Sequence, residues 1–139
     1  MVRTSRQKNK KDIIQYGNAV FNPAGMLRLK SEFDYVRVNG IKYVGKYFLL
    51  VNAKTSDEEL RIGIICGRKF SKKAVVRNRA RRLIKESFSL IKAQVSVSHI
   101  IFIPRKRIMD KHLQDVQTEM IKLLIRAGIW IAPAKKEDS

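Results

Sequence analysis

The chain has 139 residues and carries 30 Lys plus Arg against 12 Asp plus Glu, a formal net charge of +18. This length suits one domain, and a 45% hydrophobic content supplies enough apolar surface for a core, which excludes a chain disordered throughout. The charge implies a polyanionic partner, nucleic acid first and an anionic membrane surface second, while no apolar run approaches the ~20 residues of a membrane span.

Residues 1–25 read as a basic tail. "VRTSRQKNKK" is polar and cationic, and "NPAG" at 22–25 is a cluster of breakers. A disordered solubilising arm and an arm that grazes phosphates are both open. The N-terminus lacks the apolar stretch of a signal peptide. Cys66 is the single cysteine, so an internal disulfide is excluded and a reducing compartment fits. The expectation is a cytoplasmic protein.

A single domain is expected over residues 26–130. Ser31 is placed to cap a short helix, with Asp34 at the capping-box position, Phe33 and Val36 on its apolar side and Gly40 at its C′ position. "IKYVGKYFLLV" (41–51) predicts one or two strands, with Gly45 marking a break. "KTSDEE" (54–59) is a loop holding the main acidic cluster. "LRIGIIC" (60–66) predicts a strand buried on at least one side.

"KKAVVRNRARRLIKESF" (72–88) then predicts an amphipathic helix. At about 100° per residue, Val76, Ala80, Leu83, Ile84, Leu90 and Ile91 share one arc. Arg77, Asn78, Arg81, Arg82 and Lys85 share the other. Between Arg68 and Lys85 there are nine Lys or Arg and no acid. Like charges at i,i+4 destabilise a helix by a few tenths of a kcal/mol per pair. A solvated charged face and a polyanion-binding face both accommodate such a pattern. Two features favour the second. Ordinary solvated faces mix signs, and arginine, whose planar fork binds phosphate bidentately, outnumbers lysine here. Lys72 and Lys73 fall in the expected first turn, where the helix N-terminus suits a phosphate.

"VSHIIFIP" (97–104) predicts a further strand, stopped by Pro104. Residues 110–127 predict a second long helix, with a stripe of Leu113, Val116, Met120, Ile121, Leu123 and Leu124 and a stop at Gly128. Residues 131–139 are a polar tail. The order α-β-β-(β)-α-β-α predicts an α+β sandwich, a sheet covered by helices on one side.

Catalytic chemistry is not visible. His99 alternates with apolar residues and reads as structural, and His112 sits in a helix's first turn. No Cys/His cluster has metal-ligand spacing, and no paired acids or glycine-rich phosphate loop appear. Cys66 lacks a histidine partner, and Trp130 reads as a cap on the core. The pattern is that of a nucleic-acid binder without an active site, cofactor or small-molecule substrate of its own.

"RIGIICGRKFSKKAVVRNRARRLIKESF" (61–88) closely resembles the protein subunit of bacterial ribonuclease P. The resemblance rests on Arg61-Ile-Gly63, Arg68-Lys69, the run Arg77-Asn78-Arg79-Ala80-Arg81-Arg82, and Leu83 through Phe88. It extends to "LRLKSEFDYVRVNG", "SHIIFIPR" and "LLIRAGIW", and so covers residues 26 to 130. It implies the two-layer α/β sandwich of ribosomal protein S5 domain 2, with a left-handed βαβ crossover. It further implies a ribonucleoprotein endoribonuclease whose partner RNA is the catalyst, holds Mg2+ and removes the 5′ leader of precursor tRNA. No metal or catalytic residue is expected on the protein. The resemblance assigns RNA-subunit binding to Arg77, Asn78, Arg79, Arg81, Arg82 and Lys85. It assigns leader or phosphate binding to Phe33, Arg37, Val51, Arg68, Lys69, Lys72 and Lys73. Arg37 and Val51 stand where other members carry aromatics, which weakens base stacking there. A ribosomal or ribosome-associated RNA-binding protein is the alternative. A duplex-DNA binder lacks a preceding helix-turn-helix partner, and a stand-alone nuclease lacks catalytic groups.

Overall fold

Side-chain alternation along four strands decides the architecture. The structure is a computed structural model and describes residues 25–132. The strands are β1 (Ile41–Val44), β2 (Phe48–Ala53), β3 (Arg61–Ile64) and β4 (His99–Pro104), in sheet order β1-β2-β4-β3. β1 and β2 pair antiparallel, as do β2 and β4. β3 lies parallel to β4, with Ile62 opposite Ile100 and Gly63 opposite Ile101. The parallel pair needs a crossover, and α2 (Ala74–Ser89) supplies it.

One face of the sheet presents Phe48, Leu50, Ile62, Ile100 and Phe102 to the buried sides of α2 and α3 (Leu113–Arg126). Ala80, Leu83, Ile84 and Phe88 come from α2, and Val116, Met120, Leu123 and Leu124 from α3. Phe102 meets Phe48 edge-on at 5.5 Å and Phe88 at 5.8 Å. Fully burying each such side chain contributes roughly 1.5–3 kcal/mol.

The expected α+β class and element order hold, but the one-sided helix cover does not. α1 (Lys30–Asn39) lies on the opposite face, where Val36 is buried over Val51, Ala53 and Ile101. The reason is in β2 and β4. They are apolar at nearly every position rather than at alternate ones, so both faces need cover. α1 has ten residues and covers only part of its face.

Local boundaries also differ from expectation. Leu29, not Ser31, is the N-cap of α1. The Glu32 carboxylate accepts the N–H groups of Arg28 at 2.7 Å and Leu29 at 3.0 Å, while Asp34 is taken by Lys30 at 2.8 Å. Gly40 is extended rather than left-handed, with φ −88°. Space demands the glycine: a Cβ there would stand 2.5 Å from the Val36 carbonyl oxygen and 2.8 Å from that of Asn52. α2 starts at Ala74, so Lys73 is its N-cap and Lys72 precedes it. Leu90 lies past the helix end and is 59% exposed, and Phe88 holds the buried place instead. The expected N-terminal and C-terminal tails fall mostly outside the described residues.

Candidate nucleic-acid interface

The loop between β3 and α2 is held from below. Phe70 is buried in the core, and the Phe70 N–H donates to the Gly67 carbonyl at 3.0 Å. Two arginines of α2 reach back to the same loop. Arg77 Nη1 donates to the Ser71 carbonyl and Arg81 Nη2 to the Cys66 carbonyl, each at 2.9 Å. On the helix's other side, Arg79 donates to the carbonyls of Met109 at 3.0 Å and Lys111 at 3.1 Å. All three arginines thus bond neutral carbonyls. Their positions are fixed while their positive charge stays uncancelled.

Around this braced junction Arg68, Lys69, Lys72, Lys73, Asn78 and Arg82 are exposed, and Lys85 is half-buried. The sequence pattern groups all these residues as one cationic surface, and the structure divides them by task. Arg77, Arg79 and Arg81 organise the loop and the turn after β4; Arg82 and the loop cations are displayed. A cationic display on a loop and helix braced in this way suits a phosphate backbone. Cys66 lies beneath it, 3% exposed. Burial pushes its thiol up, against the opposing pull of Arg81 and Arg77, so it is a core residue and not a nucleophile.

The second face carries a different surface. Side chains of one row point the same way across neighbouring strands. Val44 pairs with Leu49, and Leu49 pairs with Ile103. Ile65 extends the row one residue past β3, its N–H donating to the Phe102 carbonyl at 3.0 Å. Leu49, Ile65 and Ile103 are half-buried and Val44 is 54% exposed, so α1 leaves this row only partly covered. Lys42, on the same face two residues before Val44, and Arg37, on α1, are both exposed. An apolar floor with cationic neighbours accommodates bases and phosphates of a single strand.

One of the residues that the resemblance assigns to leader binding sits deeper than that role needs. Val51 is 6% exposed and lies in the cluster under Val36, so it offers no surface to a ligand. Phe33 is half-buried against the same cluster. Its ring sits on Gly63: a Cβ at Gly63 would stand 2.5 Å from Phe33 Cε1 and 2.7 Å from Cζ. The Arg-x-Gly pattern of β3 therefore has a packing cause. Sequence reasoning missed Leu49, Ile65 and Ile103. The signal was present in the unbroken apolar runs of β2 and β4, which exceed what α1 can cover.

The acidic loop is structural. Asp57 accepts from His99 Nε2 at 3.0 Å, from the Thr55 hydroxyl at 2.9 Å and from the Glu59 N–H at 3.1 Å. It also pairs with Arg61 at 3.3 Å. Burial raises the Asp57 carboxyl, but the Glu59 and Thr55 hydrogen bonds and His99 outweigh it and leave it below its ordinary value. His99 is buried and so structural, as its alternation predicts. Among the described residues no group of three or more His, Cys, Asp or Glu is placed to hold a metal ion, and no helix is long and apolar enough to cross a membrane.

The same residues place the chain among known proteins. A family model described as Ribonuclease P matches residues 21–128. The Ribonuclease P protein component of Clostridium botulinum (strain 657 / Type Ba4) is 35% identical over 106 residues, covering 75% of this chain and 95% of that protein. The corresponding protein of Nitratiruptor sp. is 34% identical over 100 residues, covering 72% of this chain and 89% of the other. Among solved structures, the RNase P protein from Thermotoga maritima is 29% identical with a TM-score of 0.65, over 73% of this chain and 96% of that one. The Staphylococcus aureus RNase P protein is 22% identical with a TM-score of 0.69, over 76% and 97%, a likeness of fold. The family match runs from before α1 through α3 and so includes the braced arginine helix, its loop and both faces of the sheet. On that span the chain belongs to the ribonuclease P protein component family.

Proposed function

We propose that the chain binds a catalytic RNA subunit and a precursor tRNA, and that the resulting particle cleaves off the 5′ leader, with the chemistry performed by the RNA in the cytoplasm. The observation that carries this reading is the division of surfaces. A phosphate-directed cationic display stands on the β3–α2 loop and α2, and an apolar row lies partly open on the opposite face of the sheet. The family match over residues 21–128 supports this reading over the ribosomal alternative. In this reading Arg68, Lys69, Lys72, Lys73, Asn78 and Arg82 meet RNA phosphates, and Arg77, Arg79 and Arg81 hold them in place. The row Val44, Leu49, Ile103 carries the leader, with Arg37 on a phosphate. Phe33 shapes the wall of that trough from its seat on Gly63. Mg2+ supplies Lewis-acid chemistry to the RNA's own active centre, and no protein residue is assigned to it.

Leader dependence tests the reading. Arg37→Ala and Val44→Asp are expected to weaken binding of a tRNA bearing a 5′ leader, and to leave mature tRNA binding within about twofold, since removing one charge-assisted hydrogen bond weakens affinity by roughly tenfold. Equal losses for both tRNAs would remove the leader from this face.

A further inference from the structure

A second group of cations gathers where β1 turns into β2. Lys46 stands in the turn, Arg105 and Arg107 follow β4, and Lys122 and Arg126 come from α3. These residues line an open basin of about 340 Å³. The fold brings them together because β2 runs antiparallel to β4, so the start of one meets the end of the other. The basin's one acid, Glu119, is buried and already bound: its Oε2 accepts the Lys46 N–H at 2.6 Å. A side chain at Gly45 would run into that carboxylate, so the glycine admits the hydrogen bond.

Two of the five cations are fixed by neutral partners. Arg105 Nη1 donates to the Gly45 carbonyl at 2.7 Å and Arg126 Nη1 to the Val44 carbonyl at 3.2 Å. Lys46, Arg107 and Lys122 are exposed and form no ion pair among the described residues. The neighbouring rings are already occupied. Arg126 lies 5.9 Å from the Tyr43 ring centre and Lys111 lies 5.3 Å from that of Tyr47. The basin therefore offers five cations, two of them held in place, and no aromatic residue in its lining. That combination suits phosphates and not bases.

We infer that this basin is a second phosphate-backbone site for RNA, distinct from the arginine helix and bordering the apolar row at Val44. It binds without reading sequence. A strip carrying Lys106, Arg107 and Lys111, with Asp110 as its one acid, leads to it from α2, to which Arg79 ties that strip. One RNA backbone can follow the strip from the helix to the basin. A concave site with arginines pinned to backbone carbonyls fits a strand better than a flat anionic membrane. The inference rests on the proposal that the chain's partner is RNA.

The test uses the full chain with two probes, the RNA subunit of a bacterial ribonuclease P and a precursor tRNA, each titrated across a range of salt. Lys122→Glu and Arg107→Glu are compared with Lys54→Glu. Lys54 is an exposed lysine just past the far end of β2, so the Lys122 and Lys54 variants carry the same change in net charge. All should melt like wild type. The two basin variants should bind RNA about tenfold more weakly than Lys54→Glu, with a log–log salt slope shallower by about 0.7–0.9 for each phosphate no longer neutralised. A weakening with the RNA subunit assigns the basin to that RNA, and a weakening with precursor tRNA alone assigns it to the substrate. Either result supports the site. Basin variants indistinguishable from Lys54→Glu on both probes, with wild type binding normally, overturn the basin alone. A wild-type chain that binds neither RNA overturns the parent reading and the basin with it. Phosphatidylglycerol vesicles that bind wild type and fail to bind Lys122→Glu, with RNA binding unmoved, would give the basin to a membrane and overturn the inference.

Discussion

Asp57 shows how a single residue ties the acidic loop to the sheet. It joins His99 on β4, Arg61 on β3 and Thr55 within the loop. Its folded carboxyl titrates below the ordinary value of 3.8. A depressed acid stabilises the folded state above the unfolded value and loses that contribution as pH falls through the folded one. Asp57→Asn should therefore lower the melting temperature by a few degrees at pH 7. The gap from wild type should close as pH falls below the ordinary carboxylate value, since the native carboxylate is then protonated as well. A gap that stays constant down to pH 2 would show that charge is not the cause. His99 was legible as structural from its alternation with apolar residues. Its partner was not, because Asp57 lies 42 positions away and loop geometry has no periodicity to read. Phe33 and Gly63 were likewise visible as separate motif residues. That one sits on the other depends on how α1 crosses the sheet.

At the scale of the element, α2 was readable as a helix with one apolar and one cationic side. The structure redistributes its arginines. Arg81 donates to the Cys66 carbonyl, whereas Arg82 is exposed. Exposure versus bracing depends on where the preceding loop runs, and a helical wheel contains no loop. The two neighbours should now behave differently. Arg82→Ala should leave stability within about 0.5 kcal/mol of wild type and weaken RNA-subunit binding by roughly tenfold. Arg81→Ala should weaken binding and also destabilise the fold by about 0.5–1.5 kcal/mol through the missing hydrogen bond. Leu83→Ala opens a cavity against the sheet and should destabilise by about 2–5 kcal/mol. Denaturant melts and RNA titrations of the three variants read both quantities. Identical behaviour of the Arg81 and Arg82 variants would refute the division into bracing and displayed arginines. The start of α1 shows the opposite limit. Ser31 and Asp34 matched a capping pattern, but Glu32 reaches the free N–H groups and Asp34 pairs with Lys30.

For the whole molecule, composition already pointed to a polyanionic partner. The order of elements pointed to an α+β sandwich, because short apolar, β-branched runs alternate with stretches of 3.6-residue period along the chain. The placement of α1 on the second face was not apparent. It follows from strands apolar on both sides, and from how little of that second face a ten-residue helix covers. That partial cover leaves an apolar row partly open opposite the arginine helix, so the molecule presents a cationic surface and an apolar one on two sides of one sheet. These surfaces should act together on one particle in which RNA does the cutting. Reconstitution measures this directly: a bacterial ribonuclease P RNA at low Mg2+ with a precursor tRNA, with and without the protein, and the protein alone. The expected result is 5′ maturation that needs the RNA, is strongly stimulated by the protein, and is absent with protein alone. Specific 5′ cleavage by RNA-free protein, or no stimulation of the RNA by a folded protein that binds it, would contradict a role as partner to a catalytic RNA.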